Sequence, residues 1–283
     1  MFIQAALALL CLGAEAAPVV EEPLALTVMS FNVRYGTAAD GENAWPNRRE
    51  LLVETIKAQD PDVVGVQECL AFQAEYIEEE LRGYRWLGRG RERSGDGEMT
   101  VVFYRERALS PISMETFWLS EQPGVPGSVS WDSSLTRIAT RVQFYHAKSN
   151  KMVHVFNTHF DHRGQQAREE SARLLLARTK LIPEGERVIV MGDFNAIAED
   201  SAPYATLVEG GLYDAWLSAP ERKGPVVTWS AFSAPDMESK QRIDWILFRG
   251  PLDCVEVETV TYNKEGRYPS DHFPVVAKFK EEL

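Results

Sequence analysis

The strongest constraint on the fold is a series of short apolar segments, most of which have the length and composition of β-strands. The predicted strands are 26–31, 62–67, 99–104, 112–119, 138–145, 151–158, 187–191, 242–248, 254–261 and 275–279. Helical periodicity is confined to 48–58, 72–81 and 165–181. Because the helices do not alternate strictly with the strands, the pattern argues against a doubly wound sheet. It predicts an α/β sandwich in which two packed sheets carry helices on their outer faces.

Length and composition favour one large globular domain. The chain has 283 residues, of which 45% are hydrophobic and 25% charged, and no repeat, low-complexity tract or flexible linker divides it. We therefore predict one domain over residues 24–281 and expect a monomer. The net charge of -12 disfavours tight, sequence-blind binding to nucleic acid, which usually requires a Lys/Arg surface, although a local basic patch stays compatible with it.

The first residues have the features of an export signal. Residues 2–12 form an apolar run that is too short to span a bilayer, and Ala14-Glu15-Ala16 after it suits a signal peptidase. No Lys or Arg precedes the run, and Cys11 follows a large residue where lipoprotein sites take a small one. We predict a signal peptide at 1–16, export to the periplasm or the extracellular space, and no later transmembrane segment. Lipid anchoring and an unprocessed terminus stay open as alternatives.

The cysteines give little information. If Cys11 leaves with the signal peptide, Cys69 and Cys254 remain, which is too few for a disulfide framework. They either pair in an oxidising compartment or serve separately as small buried hydrophobes.

Polar residues stand at the ends of several predicted strands. The segments are Phe31-Asn32, Gln67-Glu68, Asn157-Thr158-His159, Gly192-Asp193-Phe194-Asn195 and Ser270-Asp271-His272. Taken singly, each has a structural explanation as a turn residue, a cap or a charge at a helix start. Their joint occurrence indicates convergence on one crevice at a sheet edge.

The residue types indicate metal-assisted chemistry on a phosphoryl group. Asparagine, glutamate and aspartate supply hard oxygen ligands that suit Mg²⁺, with Mn²⁺ as a possible substitute, whereas no His/Cys cluster has zinc spacing. Histidines among carboxylates can exchange protons or hydrogen bonds with a phosphoryl group during an in-line displacement.

These segments, together with Phe31-Asn32-Val33-Arg34 and Arg242-Ile243-Asp244, resemble in residue type and order those of the endonuclease/exonuclease/phosphatase superfamily. The resemblance implies a four-layer α-β-β-α sandwich of two mixed sheets and a metal-dependent phosphoester hydrolase. It implies Glu68 as the principal metal ligand, with Asn32 and Asp271 beside it.

The resemblance also implies catalytic roles. Asp193 would orient or deprotonate the attacking water, and Asn195 would hold that water or the phosphate. His272 would contact the scissile phosphate, with Asp244 fixing its tautomer, and His159 would lie near the leaving group.

The resemblance implies a cationic contact to phosphate at Arg137, for which a surface arginine at a strand start is the alternative. Further substrate contacts are predicted at Arg34, Trp131 and His162. A loop tryptophan such as Trp131 or Trp45 either stacks on a substrate ring or pins its loop to the protein body. Asp161 either binds substrate or begins the helix that follows.

The leading hypothesis is a phosphomonoesterase or phosphodiesterase acting on a small or lipid-linked phosphoester. The alternatives are an exported nonspecific nuclease and a non-catalytic binding module on the same fold.

Overall fold

Two β-sheets form the centre of the protein. The computed structural model describes residues 22–281. The strands are β1 (Ala25–Asn32), β2 (Val63–Cys69), β3 (Tyr84–Leu87), β4 (Met99–Arg105), β5 (Leu109–Trp118), β6 (Ile138–His146), β7 (Lys151–His159), β8 (Arg187–Asp193), β9 (Tyr213–Asp214), β10 (Glu221–Lys223), β11 (Asp244–Arg249), β12 (Asp253–Thr259) and β13 (Val275–Lys280). The helices are α1 (Trp45–Gln59), α2 (Ala71–Glu80), α3 (Gln165–Thr179), α4 (Ala202–Glu209) and α5 (Ala215–Ser218).

Both sheets are mixed. The first has the order β10-β12-β13-β1-β2-β4-β3, and the second has the order β5-β6-β7-β8-β11-β9. In the first sheet β1 runs parallel to β2 and antiparallel to β13. In the second sheet β8 runs parallel to β7 and antiparallel to β11. The parallel pairs therefore bring the ends of β1 and β2, and of β7 and β8, to common edges.

The central strands are apolar on both faces because each face packs against a different layer. In β1, Leu26 and Val28 face the second sheet, whereas Met29 and Phe31 face α1 and α2. The second sheet repeats this arrangement, with one face in the core between the sheets and the other under α3 and α4. The four-layer α-β-β-α sandwich is confirmed.

The main differences from the predicted elements concern short or irregular segments. Helix α1 begins at Trp45, three residues before the predicted start, with Pro46 in its first turn. The sequence patterns did not predict α4, α5, β3, β9 or β10. These elements have eight residues or fewer, and such short segments carry too little periodicity to be recognised.

Three further expectations concern the signal peptide, membrane-spanning segments and the two cysteines. The predicted signal peptide lies outside the described residues. No helix within residues 22–281 is both long and apolar enough to cross a membrane. Cys69 and Cys254 are unpaired and buried, one under α1 and α2 and the other between the sheets, and burial raises the pKa of both thiols.

Candidate active site

The polar strand ends converge at one edge of the sandwich. Asn32 ends β1, His159 ends β7 and Asp193 ends β8, while Asp244 begins the antiparallel β11. His159 and Asp244 are both register partners of Asp193. These four residues thus lie within strand ends, where the hydrogen-bonded sheets fix their positions, whereas Asp271 and His272 lie in the loop before β13.

Asn32 connects the two sheets at this edge. Its Nδ2 donates to Oε1 of Glu68 at 3.1 Å and to Oδ2 of Asp193 at 3.0 Å. Its Oδ1 accepts the backbone N–H of Arg34 at 3.0 Å. The amide therefore holds two carboxylates together as a donor, and the predicted ligand role for Asn32 requires this amide to turn.

Glu68 is aimed into the site by an irregularity in β2. The register between β2 and β4 shifts between Val66 and Cys69, and Glu68 adopts a left-handed φ of 58°. Oε2 of Glu68 accepts the backbone N–H of Tyr35 at 3.1 Å. A bulge of this kind redirects a side chain out of the regular alternation, and it commonly does so beside active sites.

Asp193 lies between two imidazoles. Its Oδ2 is 3.4 Å from Nε2 of His159 and 3.8 Å from Nε2 of His272. Nδ1 of His272 is 2.9 Å from Oδ2 of Asp244, and Oδ1 of Asp193 accepts the backbone N–H of Asn195 at 2.9 Å. The arrangement gives His272 a fixed orientation, with Nε2 facing the crevice.

The electrostatic environment shifts the pKa values of the two histidines in opposite directions. Burial alone lowers the pKa of His272, but the carboxylates of Asp244 and Asp193 outweigh it and raise that pKa well above its usual value. Burial, reinforced by the positive charge of Arg137, lowers the pKa of His159. Burial and the charge of Asp244 raise the pKa of Asp193. At neutral pH one imidazole is therefore cationic and the other neutral.

Arg34 and Asp271 lie beside this centre. Arg34 forms a bidentate pair with Asp40 at 2.9 and 3.0 Å, which raises its pKa, and its Nε is 3.9 Å from Oδ2 of Asp271. Burial raises the pKa of Asp271, and the negative charge of Glu68 contributes to the rise.

Arg137 contributes a buried positive charge. Its side chain is 5% exposed, its Nη2 contacts Nδ1 of His162 at 3.1 Å, and its Nε has no hydrogen-bond partner. The nearest ion-pairing carboxylate is Asp161, whose Oδ2 is 3.7 Å from Nε. Because Asp161 does not hydrogen-bond to it, the guanidinium keeps donors for an anion in the crevice.

Asp161 itself has a structural role. Its oxygens accept the backbone N–H groups of Arg163, Gly164, Ser134 and Leu135 and the hydroxyl of Ser134. Of its two predicted roles, the structure supports the turn before α3. These bonds outweigh the effect of burial and lower the pKa of Asp161 to about 2.

The site opens into a crevice of about 690 Å³. Its lining residues are Arg34, Tyr35, Glu68, Arg91, Glu98, Leu135, Arg137, His159, His162, Asp193, Asn195, Trp229, Ile243, Asp271 and His272. Of the predicted site residues, Asn32 and Asp244 lie directly behind this lining. Trp131 is not among the lining residues, and Trp45 is buried against Phe72 and Tyr76, which pins its segment to the body of the protein.

Sequence reasoning missed three conspicuous lining residues. Arg91 and Glu98 form an ion pair at 2.9 Å in the loop before β4, and Trp229 lies in the loop before β11. The only available signal was the length of these loops, because long loops in a compact domain tend to carry function.

The donor set fits a divalent cation. Ligand atoms of Glu68, His159 and Asp193 lie within 4.8 Å of one another, and those of Asp193, Asp244 and His272 do so as well. Burial and neighbouring carboxylates raise the pKa values of Asp193 and Asp271, so the site concentrates negative charge that a bound cation would stabilise. The carboxylates of Glu68 and Asp193 offer hard oxygen atoms of the kind that such a cation prefers.

Comparison with known proteins agrees with the geometry. The chain is 32% identical to an endonuclease/exonuclease/phosphatase family protein from Bacteroides thetaiotaomicron, whose crystal structure superimposes with a TM-score of 0.87 over 93% of this chain and 98% of that one. A mannosyl-6-phosphatase from the same species is 31% identical, with a TM-score of 0.83 over 90% and 99% of the two chains. An uncharacterized protein of Acanthamoeba polyphaga mimivirus is 29% identical over 197 residues, which cover 64% of this chain and 70% of that protein.

The sequence profile of the Endonuclease/Exonuclease/phosphatase family matches residues 29–272, which include every predicted site residue. The chain belongs to this family and is a metal-dependent phosphoester hydrolase.

Proposed function

We propose that this protein is an exported, Mg²⁺-dependent hydrolase of a small phosphoester that works by in-line attack of water. The observation that carries the proposal is the arrangement around Asn32. Glu68 and Asp193 both lie within hydrogen-bond distance of its side chain, and Asp193 lies beside the oriented pair of His272 and Asp244. Carboxylates for a cation, an acceptor for the proton of water and a cationic imidazole thus face one crevice.

Glu68 is the principal metal ligand in this proposal, with Asp271 and a rotated Asn32 beside it. Mg²⁺ is favoured because the donors are mainly carboxylate and amide oxygens and no cysteine is present in the crevice lining. When bound, the cation acts as a Lewis acid on the phosphoryl oxygens.

The protein's own groups supply orientation and proton transfer. Asp193 accepts a hydrogen bond from the attacking water, and Asn195, held by its side-chain bond to the carbonyl of Phe160 at 3.1 Å, positions that water or the phosphate. His272 donates from Nε2 to a phosphoryl oxygen while Asp244 fixes its tautomer. The neutral His159 lies near the leaving group, and Arg137 donates to the phosphate.

A small phosphoester fits the crevice best. Most of the lining residues are charged or histidine, so the crevice offers no continuous apolar channel for an acyl chain. The net charge of -12 disfavours a long polyanion such as duplex DNA. A phosphorylated sugar is the leading substrate, and the similarity to a mannosyl-6-phosphatase supports it. A lipid headgroup also matches the polar crevice.

Hydrolysis of a substrate panel tests the proposal. The panel contains p-nitrophenyl phosphate, bis-p-nitrophenyl phosphate, sugar phosphates, sphingomyelin and plasmid DNA, each with Mg²⁺, Mn²⁺ or EDTA. We expect metal-dependent turnover of a small phosphoester that Asp193→Asn abolishes, while Asp253→Asn, an exposed aspartate outside the crevice, retains it. Exclusive nicking of plasmid DNA would support the nuclease, and failure to bind Mg²⁺ or Mn²⁺ would support a non-catalytic binding module.

Metal binding is checked independently by calorimetry. Glu68→Gln removes one ligand charge, so it weakens the apparent affinity for Mg²⁺, and excess Mn²⁺ restores part of the activity. An unchanged Mg²⁺ affinity in this variant would contradict the assigned metal site.

A further inference from the structure

Trp229 is a large aromatic side chain held half-exposed at the active-site crevice. Its exposed fraction is 47%, and the other exposed apolar residue of the crevice lining is Leu135 at 40%. The remaining lining residues are mainly charged or polar. The indole and Leu135 are therefore the most exposed apolar side chains beside the catalytic groups.

The backbone around Trp229 is tied to the catalytic segment. Trp229 forms an isolated antiparallel bridge with His272. On one side, the N–H of Ser230 donates to the carbonyl of Asp271 at 2.7 Å, and on the other, the carbonyl of Thr228 accepts the N–H of Phe273 at 2.7 Å. Hydrogen bonds on both sides fix the position of Trp229, so its exposure is part of the fold.

The bridge also fixes which side the indole occupies. Residues directly opposite each other in an antiparallel pair project to the same face, with Cβ atoms about 4.5–5.5 Å apart. The indole of Trp229 consequently lies next to the imidazole of His272. Both side chains line the same crevice, so a group attached to the phosphate that His272 contacts lies within reach of the indole.

Leu135, the other exposed apolar residue of the crevice lining, belongs to a different loop. The N–H of Leu135 donates to Asp161 at 3.2 Å, and this carboxylate also anchors the turn before α3. Leu135 and the buried Arg137 both line the crevice. The loops of Leu135 and Trp229 are each held by hydrogen bonds to another part of the site.

From these features we propose that Trp229 and Leu135 form a subsite for a sugar ring in the leaving group of the substrate. A sugar ring presents C–H groups on its face, which suit an indole and a leucine, and hydroxyls at its edge. His162 and Arg34 line the same crevice and supply polar partners for those hydroxyls. The inference rests on the proposed function and narrows it to sugar phosphates.

The test compares substrates with and without a ring. We would measure kcat and KM for a hexose 6-phosphate and for glycerol 3-phosphate in the wild type, Trp229→Ala and Trp229→Phe. The matched control is Tyr213→Ala, which removes another exposed aromatic outside the crevice. We expect Trp229→Ala to lower kcat/KM for the hexose phosphate on the order of 10- to 100-fold, mainly through KM. Trp229→Phe and the control change it by less than about fivefold, and glycerol 3-phosphate turnover stays nearly constant in all variants.

The outcomes separate this proposal from the broader function. Equal losses for both substrates would show that Trp229 only supports His272, and an unchanged hexose phosphate KM would also overturn the subsite. A nucleoside 5′-monophosphate is measured alongside, and if its turnover alone depended on Trp229, the surface would be assigned to a base instead. If the proposed function itself were wrong, no phosphoester would show turnover that depends on Asp193.

Discussion

Replacement of Asn157 by alanine should destabilise the whole sandwich, because this side chain connects the sheets beneath the active site. Asn157 is fully buried in β7, and its Nδ2 donates to the carbonyls of Val66 and Val101 at 2.9 and 2.7 Å. Its Oδ1 accepts Nε2 of Gln67 at 2.6 Å. One side chain of the second sheet thus serves two strands of the first, at the point where β2 bulges before Glu68.

The magnitude follows from the partners that lose a hydrogen bond. Nε2 of Gln67 still donates to the carbonyl of Gly65 and the hydroxyl of Ser30, so the lost hydrogen bond to Asn157 costs little free energy. The carbonyls of Val66 and Val101 each lose a buried donor, which costs about 1–3 kcal/mol per group. We expect a loss of about 3 kcal/mol in the free energy of unfolding, and therefore a fall in Tm of roughly 6–12 °C.

Urea denaturation followed by circular dichroism measures this loss, with Asn47→Ala as the control. Asn47 is exposed and donates to the backbone carbonyl of Glu42, so its replacement should change stability by less than about 0.5 kcal/mol. If Asn157→Ala lost less than about 1 kcal/mol, the polar contact between the sheets would not be a main determinant of stability. The reasoning would then be refuted.

Three further predictions concern single positions. His272→Ala should lower kcat by roughly 10²–10⁴-fold with an unchanged circular dichroism spectrum, and a rate near that of the wild type would contradict its role. Asp161→Asn should reduce stability by about 2 kcal/mol at pH 7. Since the pKa of Asp161 is lowered to about 2, that contribution is present above pH 4 and disappears as the pH falls towards 2, so urea titrations at several pH values should show the two proteins converging. Gly192→Ala would place a Cβ 2.1 Å from the carbonyl oxygen of Thr158 and should prevent folding or strongly lower Tm, whereas Gly124→Ala meets no atom within 4 Å and should be neutral in thermal melts.

The strands that were predictable from the sequence are those whose burial on both faces requires a continuous apolar segment. A strand such as β8, with Ile189 facing one layer and Val190 the other, is apolar throughout, which distinguishes it from a half-exposed strand. The edge elements β9 and β10 lack this signal because they are short, and β10 is exposed throughout. Their pairing depends on tertiary contacts that local patterns do not encode.

The residues of the candidate site likewise include some that were predictable from the sequence and some that were not. Residues at strand ends, such as Glu68 and Asp193, were predictable because the sheet fixes where a strand terminates. Loop residues close to a strand, such as His272, were predictable too, but those in the longer loops were not, as the two tryptophans show. Trp131 was predicted to contact substrate, yet the crevice is lined by Trp229, whose position is set by hydrogen bonds to the distant segment around Asp271. No local pattern distinguishes the two loops, because the difference is a long-range pairing.

Backbone strain at the site explains why the surrounding network is so extensive. Arg34, Glu68 and Asn195 all have positive φ, at 55°, 58° and 47°, although none of them is glycine. Such conformations cost on the order of 1 kcal/mol each and persist only where neighbouring contacts determine them. Here the carboxylates provide these contacts, since Asp193 accepts the N–H of Asn195 and Glu68 accepts that of Tyr35. The groups assigned to catalysis therefore also hold the strained backbone in place, so a mutation at Asp193 should be judged by its effects on both stability and rate.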